Sequence, residues 1–480
     1  MYPSWGQNSL MHNASTSDTE PNLSPLLPPD DPQRAALHNE VHARPSARVR
    51  LPALIVYVAV LNEGVSREQE CAHLNRLPGQ AGLTPDDLKD NFLRLRMAGF
   101  SVKWERHTEF SRYSIVQALP EQAGLGNVEP DLHNGLVVPG EWLAHIPGRT
   151  VAAIQLVMVH APLDDATALM AQAVTWLGGR TVVASLMGSN AASSAEPLGE
   201  PVNRHGYGHP IGHSWVLTQF QLREDGFERM LVIAPEGTSQ TRAGRIAGRL
   251  LELETYRLMA LRGLPVAKAL GPMLVQSEAA LAQITAQLEN KSATDQQLLD
   301  TLVSLAAGVE RVTAEHVYRF SATQAYYALV NQRIRELRER AIPGTQTVGE
   351  FMQRRLSPAM ATVAATGQRL ASLSERVARA SDLLRTRVDI ATEVQNQQLL
   401  EKLTRGQELQ LRLQSTVEGL SIAAISYYVI SLLLYGGKAL KAAGVPINPE
   451  MAAGALVPVV LWVVWRTTQR IHAKLHVSHS

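Results

Sequence analysis

The residues best suited by type and spacing to hold a metal are the three histidines of His205-Gly-Tyr-Gly-His209-Pro-Ile-Gly-His213. Neutral imidazole is a common ligand for zinc, copper and nickel, and glycines let a backbone close around an ion or a phosphate. The alternative is a glycine-rich loop with incidental histidines, which asks less of the sequence. His38 and His42 flank Glu40 at a spacing that on a helix would put two imidazoles on one face. Pro45 stands too close for a helix to be expected there, so a hydrogen-bonding role is the simpler one. Gly237-Thr238-Ser239 ahead of a helix resembles an anion-binding helix start; lacking the Gly-Lys-Ser/Thr ending of a P-loop, it reads as an N-cap. No nucleophile, base and orienting group stand in a recognisable arrangement, and the chain is not expected to be an enzyme. No cofactor is indicated beyond a divalent cation at one of these positions.

A second set of polar residues is spaced for a different purpose. Gln407, Gln410, Gln414, Ser421, Tyr428, Ser431 and Tyr435 share one helical stripe, with Val417 and Ala424 in its gaps. Polar groups at membrane depth tend to face a bundle interior. Gln414, Ser421, Tyr428, Ser431 and Tyr435 are therefore candidates for lining a path through a ring of subunits. Helix–helix contact through small and hydroxyl side chains is the plainer explanation. Glu418 can attract a cation or pair with an arginine at the interface. Arg369, Arg376, Arg379, Arg385 and Arg387 read as a solvated helix face.

What positions the stripe is the end of the chain. No residue of 421–437 is ionised at neutral pH, and with Gly419 and Leu420 the run approaches the ~20 residues needed to cross a bilayer. A second apolar run, residues 451–465, ends in Trp462 and Trp465 ahead of Arg466, Arg470 and Lys474, the order that a water interface favours. So short a connection makes the two runs a hairpin with its flanks on one side. Cations before and after it outnumber Lys438 and Lys441 in the loop, which predicts cytoplasmic termini. Pro458 in the second run is tolerable in a membrane helix.

Composition is that of a globular protein with a modest membrane part: 480 residues, 45% hydrophobic, 19% charged, net charge +1. That balance supplies no pull toward nucleic acid. Cys71 is the single cysteine, which excludes an intrachain disulfide and a cysteine-based zinc site. Residues 1–33 read as a disordered leader without a secretory signal. Strands are expected over 51–61, 100–106, 109–118, 151–160, 181–187, 214–222 and 229–234, with helices over 84–97 and 164–177. Consecutive strands argue for α+β with a mixed or antiparallel sheet. Beyond Pro235 helices are expected over 238–262, 274–290 and 294–340, with a hinge at 341–344. The next segment is a stalk in which Val363, Leu370, Val377, Leu384 and Ala391 recur every seventh residue. If unbroken from 345 to 435 it would be roughly 130 Å long at ~1.5 Å per residue, and its apolar stripe would need a partner.

The segments HNEVHARPSARVRLPA, FMQRRLSPAMATV and LLRTRVDIATEVQNQQLLEKLTRGQELQLRLQSTVEGLSIAAISYYV are similar to those of a bacterial family of uncharacterised membrane-anchored proteins, a domain of unknown function. That resemblance covers almost everything after the leader and implies a location, not an activity. The layout also resembles the CorA-like metal-ion transporters, which have a cytoplasmic α/β domain, long stalk helices and two C-terminal spans, and form pentamers around the first span. Their first span ends in Gly-Met-Asn, where this chain has Tyr435-Gly436-Gly437-Lys438.

The expected protein is thus α+β: a leader (1–33), a cytoplasmic sheet domain (34–235), a helical region (236–342), a coiled-coil-like stalk (343–415), a transmembrane hairpin (416–467) and a cytoplasmic tail (468–480). Its partners would be the lipid bilayer of a bacterial inner membrane and further copies of itself, joined through stalk and first span. The function expected is that of a tethered structural or interaction module; the alternative is a CorA-like divalent-cation channel.

Overall fold

Among the described residues one nine-stranded sheet forms, built mainly from runs of β-branched and alternating apolar residues bounded by turns. The computed structural model describes residues 31–34, 37, 47–121, 123–126, 129–161, 165–179, 182–187, 213–290, 293–444, 446 and 448–476. Residues 1–30 of the leader, His38 and His42, and His205 and His209 lie outside the described residues. In chain order the strands are β1 (Ala53–Leu61), β2 (Phe92–Arg96), β3 (Phe100–Arg106), β4 (Phe110–Ala118), β5 (Arg149–His160), β6 (Val183–Met187), β7 (Ser214–Thr218), β8 (Glu228–Ala234) and β9 (Glu339–Ala341). They lie in the order β2-β3-β4-β1-β5-β8-β7-β6-β9. Only β5 and β8 run parallel, so the sheet is mixed, as the run of consecutive strands implied.

Alternation along β1 divides the residues beneath the two faces. Leu54, Val56, Val58 and Val60 join Trp104, Tyr113, Trp142 and Trp176 in a core covered by α1 (Arg67–Leu74), α2 (Gly140–Ala144) and α3 (Ala166–Trp176). Each large side chain withdrawn this far from water contributes roughly 1.5–3 kcal/mol. The opposite face carries Ile55 and Tyr57 and packs under α4 (Gln240–Leu261), where the Tyr57 hydroxyl meets Thr255 Oγ1 at 2.7 Å. Helix, sheet and helix make three layers.

Several expected elements differ. Thr84 and Asp87 do form a reciprocal cap, but it opens a single 3-10 turn, Pro85–Leu88, instead of a helix to 97. Asn91 then takes a left-handed φ of 58°, and alternating Phe92-Leu93-Arg94-Leu95-Arg96 pairs with β3 across Gly99. The expected helix end near 262 is met at Leu261, but the next helix begins well before 274 and takes in Pro265. Pro265 sits in the first turn of α5 (Gly263–Asn290), where a missing N–H costs nothing. After α6 (Asp295–Leu337) the expected hinge begins as β9 on the edge of β6, and leads into α7 (Val348–Arg355). Ser185 Oγ accepts from Val348 N and Glu339 Oε1 from Gly349 N, at 2.9 and 2.8 Å, capping α7. The stalk is therefore broken at Leu356, and α8 runs Ser357–Ala442 with Pro358 in its first turn; α9 is Pro449–His476.

The chain divides into two compact units, 1–277 with 309–373, and 278–308 with 374–480. The first holds the sheet, so part of the expected helical region and the start of the stalk belong with it. There Val363, Leu370 and Leu373 are buried. In the second unit Val377 and Leu384 continue the sevenfold burial alongside Leu281, Ile284, Leu298 and Leu302. Arg387 ties them by pairing with Asp295 at 3.4 Å and donating to the carbonyl of Leu288. Ala391, the next heptad position, is exposed, as is the helix beyond it as far as Val417.

One buried polar contact sets up a test. Glu228 on β8 lies against Glu254 on α4, which Arg257 grips with Nε at 2.6 Å and a second, Nη2 contact. Burial, then the charge of Glu254, push the Glu228 carboxyl well above the usual range, so it stays protonated while Thr218 donates to its Oε1 at 3.1 Å. Glu228→Gln copies the protonated acid and is expected to match wild type within ~1 kcal/mol at about pH 5 and below. A raised folded pKa gives stability that is lost as pH rises, so wild type should weaken relative to this variant above pH 4.5. Glu254→Gln strands Arg257 and should cost about 3–5 kcal/mol. Urea unfolding of the three proteins at about pH 5, 7 and 9 measures all of this.

Candidate functional site

The strongest concentration of chemistry on the sheet's α4 side comes from cross-strand neighbours that alternation brings to one face. Arg94 lies opposite Lys103, Lys103 opposite Ser114 and Ser114 opposite Tyr57, in a row across β2, β3, β4 and β1. Glu105 lies opposite Arg112, and Ser101 opposite Val116. Over this floor passes α4, with Gly244, Ala247, Gly248, Leu251, Glu252 and Tyr256 turned toward it. With Gly244, Ala247 and Gly248 among them, the helix leaves a cavity of about 310 Å³. Gly244 is required by contact, since a Cβ there would lie 1.6 Å from the carbonyl oxygen of Ala47. Gly248 meets nothing within 4 Å and opens space.

The charged side chains form one connected chain. Lys103 Nζ reaches Glu105 Oε2 at 2.9 Å, and Arg112 Nε donates to the same oxygen at 2.5 Å. Both Arg112 Nη atoms donate to Glu252 Oε1 at 3.2 Å. Glu252 Oε2 accepts from Arg333 Nε at 2.7 Å, and Arg333 Nη1 grips Glu336 at 2.9 and 2.8 Å. Burial pushes the Glu105 carboxyl up, but Arg112, and the hydrogen bonds from Arg112 and Lys103, outweigh this and bring it down to about 2. Burial also lowers Lys103, partly offset by Glu105, and raises the Tyr57 hydroxyl to about 12. Glu105 Oε1 is buried and has no hydrogen-bond partner among the described residues.

At the other end of the chain, the polar stripe lies on the side of α8 opposite its buried Ser426. Ser426 is the polar residue of the α8 apolar run that is buried, with Ala453 and Val460 buried on α9. At ~100° per residue, Ser421, Tyr428, Ser431 and Tyr435 lie about 140–220° around the helix from Ser426. Accordingly Gln414, Ser421, Tyr428 and Tyr435 are exposed and Ser431 half-buried, and the Ser421 hydroxyl donates to its own helix at Val417 O, 2.8 Å away. Among the described residues three helical stretches are long and apolar enough to cross a membrane by length and composition: Gln240–Asn290, Val348–Ala442 and Pro449–Thr468. The first was not expected, and 33% of its most apolar window is buried, against 6% and 11% in the others.

A family model for a domain of unknown function matches residues 29–475. The chain belongs to the DUF3422 family. No curated protein and no solved structure matches it, and nothing in these comparisons supports the CorA resemblance. Within this DUF3422 chain, His213 is placed just ahead of β7. No group of three or more His, Cys, Asp or Glu side chains that could hold a metal occurs among the described residues. The cavity residues were not singled out from the sequence. Their signal was the alternation Ser101, Lys103, Glu105 against Val102 and Trp104, which by itself reads as a solvated face.

Glu105 offers a direct check on this network. Its folded pKa lies below the ordinary 4.5, so its stabilisation is full above pH 4.5 and is lost as pH falls toward 2. Glu105→Gln leaves Arg112 with half its partners and should cost about 3 kcal/mol near neutrality. The gap between wild type and variant in chemical unfolding should close progressively between pH 4.5 and 2.

Proposed function

We propose that this protein is a membrane-tethered module: the hairpin formed by α9 and the apolar part of α8 sits in the inner membrane, and the sheet unit works on the cytoplasmic side. The observation that carries this reading is the outward apolar surface of the hairpin, where Leu420, Leu432 and Met451 are 74%, 71% and 74% exposed. A patch of this kind calls for lipid or protein cover. Trp462, with the Arg466 guanidinium 4.9 Å from its ring centroid, suits the bilayer interface. Self-association through α8 is supported by two features: the polar stripe faces away from α9, and Leu399, Leu400, Leu403, Leu411 and Leu413 are exposed on the polar part of the helix.

The stripe also supports a second reading, passage of a divalent cation along Gln414, Ser421, Tyr428, Ser431 and Tyr435 in a ring of copies. Small and hydroxyl residues allow helices to approach, so the two readings differ in what a bulky residue does.

Reporter fusions after Ser480 and at Ala443 are expected in opposite compartments; a shared compartment defeats the hairpin. Ser431→Leu should insert normally. If the stripe joins copies it should lower the oligomer mass measured in detergent by light scattering. If the stripe lines a path, the mass should hold while cation flux into reconstituted vesicles falls. Absence of flux in wild type leaves the tether alone.

A further inference from the structure

We infer that α8 meets a second copy of this chain along one straight face, from Leu399 to Tyr435, with the two helices parallel and at the same height. This deepens the tethered reading and rests on it, because the bilayer sets that height. The ground is a reversal of polarity. At ~100° per residue, every position of 399–435 that lies within about 40° of Leu399 around the helix is uncharged. Before the apolar run these positions include Leu399, Leu403, Leu413 and Val417, each more than half exposed. Inside the run they include Ser421, Tyr428, Ser431 and Tyr435. The back of the helix is arranged the ordinary way, with Glu401, Arg405, Glu408 and Arg412 before the run and Ile422, Val429, Ile430 and Leu433 within it. One face of α8 thus puts leucine at the level of water and hydroxyls at the level of lipid.

Neither solvent suits that face over its whole length. Water leaves the leucines uncovered, and lipid offers no partner to the hydroxyl of Tyr428, about 12 Å beyond Leu420 along the helix. A protein cover has to change polarity at the same level and carry no charge. A second copy does both by construction. Its own hairpin delivers it in the same orientation and to the same depth, so leucine comes level with leucine and hydroxyl with hydroxyl. The spacing fits such a pair. Leu399, Val417 and Tyr435 recur every eighteenth residue, five turns at 3.6 residues each, so the face runs straight along the helix where a sevenfold seam would wind. Two straight faces stay in touch over about 54 Å only when the helices lie side by side. Gly406 lies on this face, and a Cβ there would meet nothing within 4 Å, which leaves room for a neighbouring helix to come close.

The test is oxidative crosslinking of the full-length protein in the membranes of the cell that expresses it. Cys71 is the single cysteine and is buried, so each variant adds one accessible thiol. Leu403→Cys and Leu413→Cys fall at exposed positions, and each is expected to give a dimer linked through the same residue of two copies. Glu408→Cys, between them in height but on the back of the helix, should stay monomeric. Adding Leu413→Lys to Leu403→Cys should abolish the crosslink, because it puts an unpaired ammonium into the seam. That position is exposed in the single chain, so its fold does not depend on the leucine. A membrane-bound protein that crosslinks at Glu408→Cys as well as at the other two, or at neither Leu403→Cys nor Leu413→Cys, overturns the shared face and leaves the tether standing. Linkage to a different protein of the cell, read by mass spectrometry, overturns the choice of a second copy. Recovery of the protein in the soluble fraction overturns the tether and the shared face together.

Discussion

Charges taken out of water must be closed into a network or the fold that buries them is lost. Lys103, Glu105, Arg112, Glu252, Arg333 and Glu336 meet that demand by joining β3, β4, α4 and α6 through shared oxygens. Two carboxylates carry the linkage. Glu105 holds the strands together, and Glu252 connects the sheet to both helices. Removing either leaves a guanidinium facing a low-dielectric interior. The packing of α4 over the sheet is thus set as much by ionic registry as by the apolar contacts around Tyr57 and Thr255. The cavity survives because Gly244, Ala247 and Gly248 keep the helix from filling it.

Much of the sheet was legible in the sequence because the strands announce themselves twice, by β-branched content and by alternation. Legibility ended where local signals compete. At Thr84 the cap chemistry was real, yet Asn91 and Gly99 allowed β2 to pair with β3, and pairing won over helix propagation. At Leu356 no breaker residue stands before Ser357-Pro358, so the end of α7 is visible only through the contacts of Ser185 and Glu339 that hold its start. β9 is three residues long and carries no strand signature at all.

The candidate site divides along the same line. The stripe on α8 was legible because one helix contains it, and spacing alone puts those residues on one face. The cavity takes its floor from β1 to β4, its roof from α4 and one wall from Arg333, some 230 residues beyond Lys103. A polar face on a strand reads as solvated until the helix that covers it is known. Of the three histidines, His213 lies just ahead of β7, and His205 and His209 fall outside the described residues.

The pairing of β9 with β6 comes late in synthesis. The ribosome delivers Met187 some 150 residues before Glu339, an interval of roughly eight to thirty seconds at ~5–20 residues per second. Throughout it the outer edge of β6 has no β9 to cover it, and an open edge is where two nascent chains stick together. The edge closes only when the α5 and α6 helices are already made, and the apolar hairpin emerges later still. A chain built in this order completes its sheet before the apolar ends of α8 and α9 are made, and the interval before that is when its open edge is most exposed to other chains.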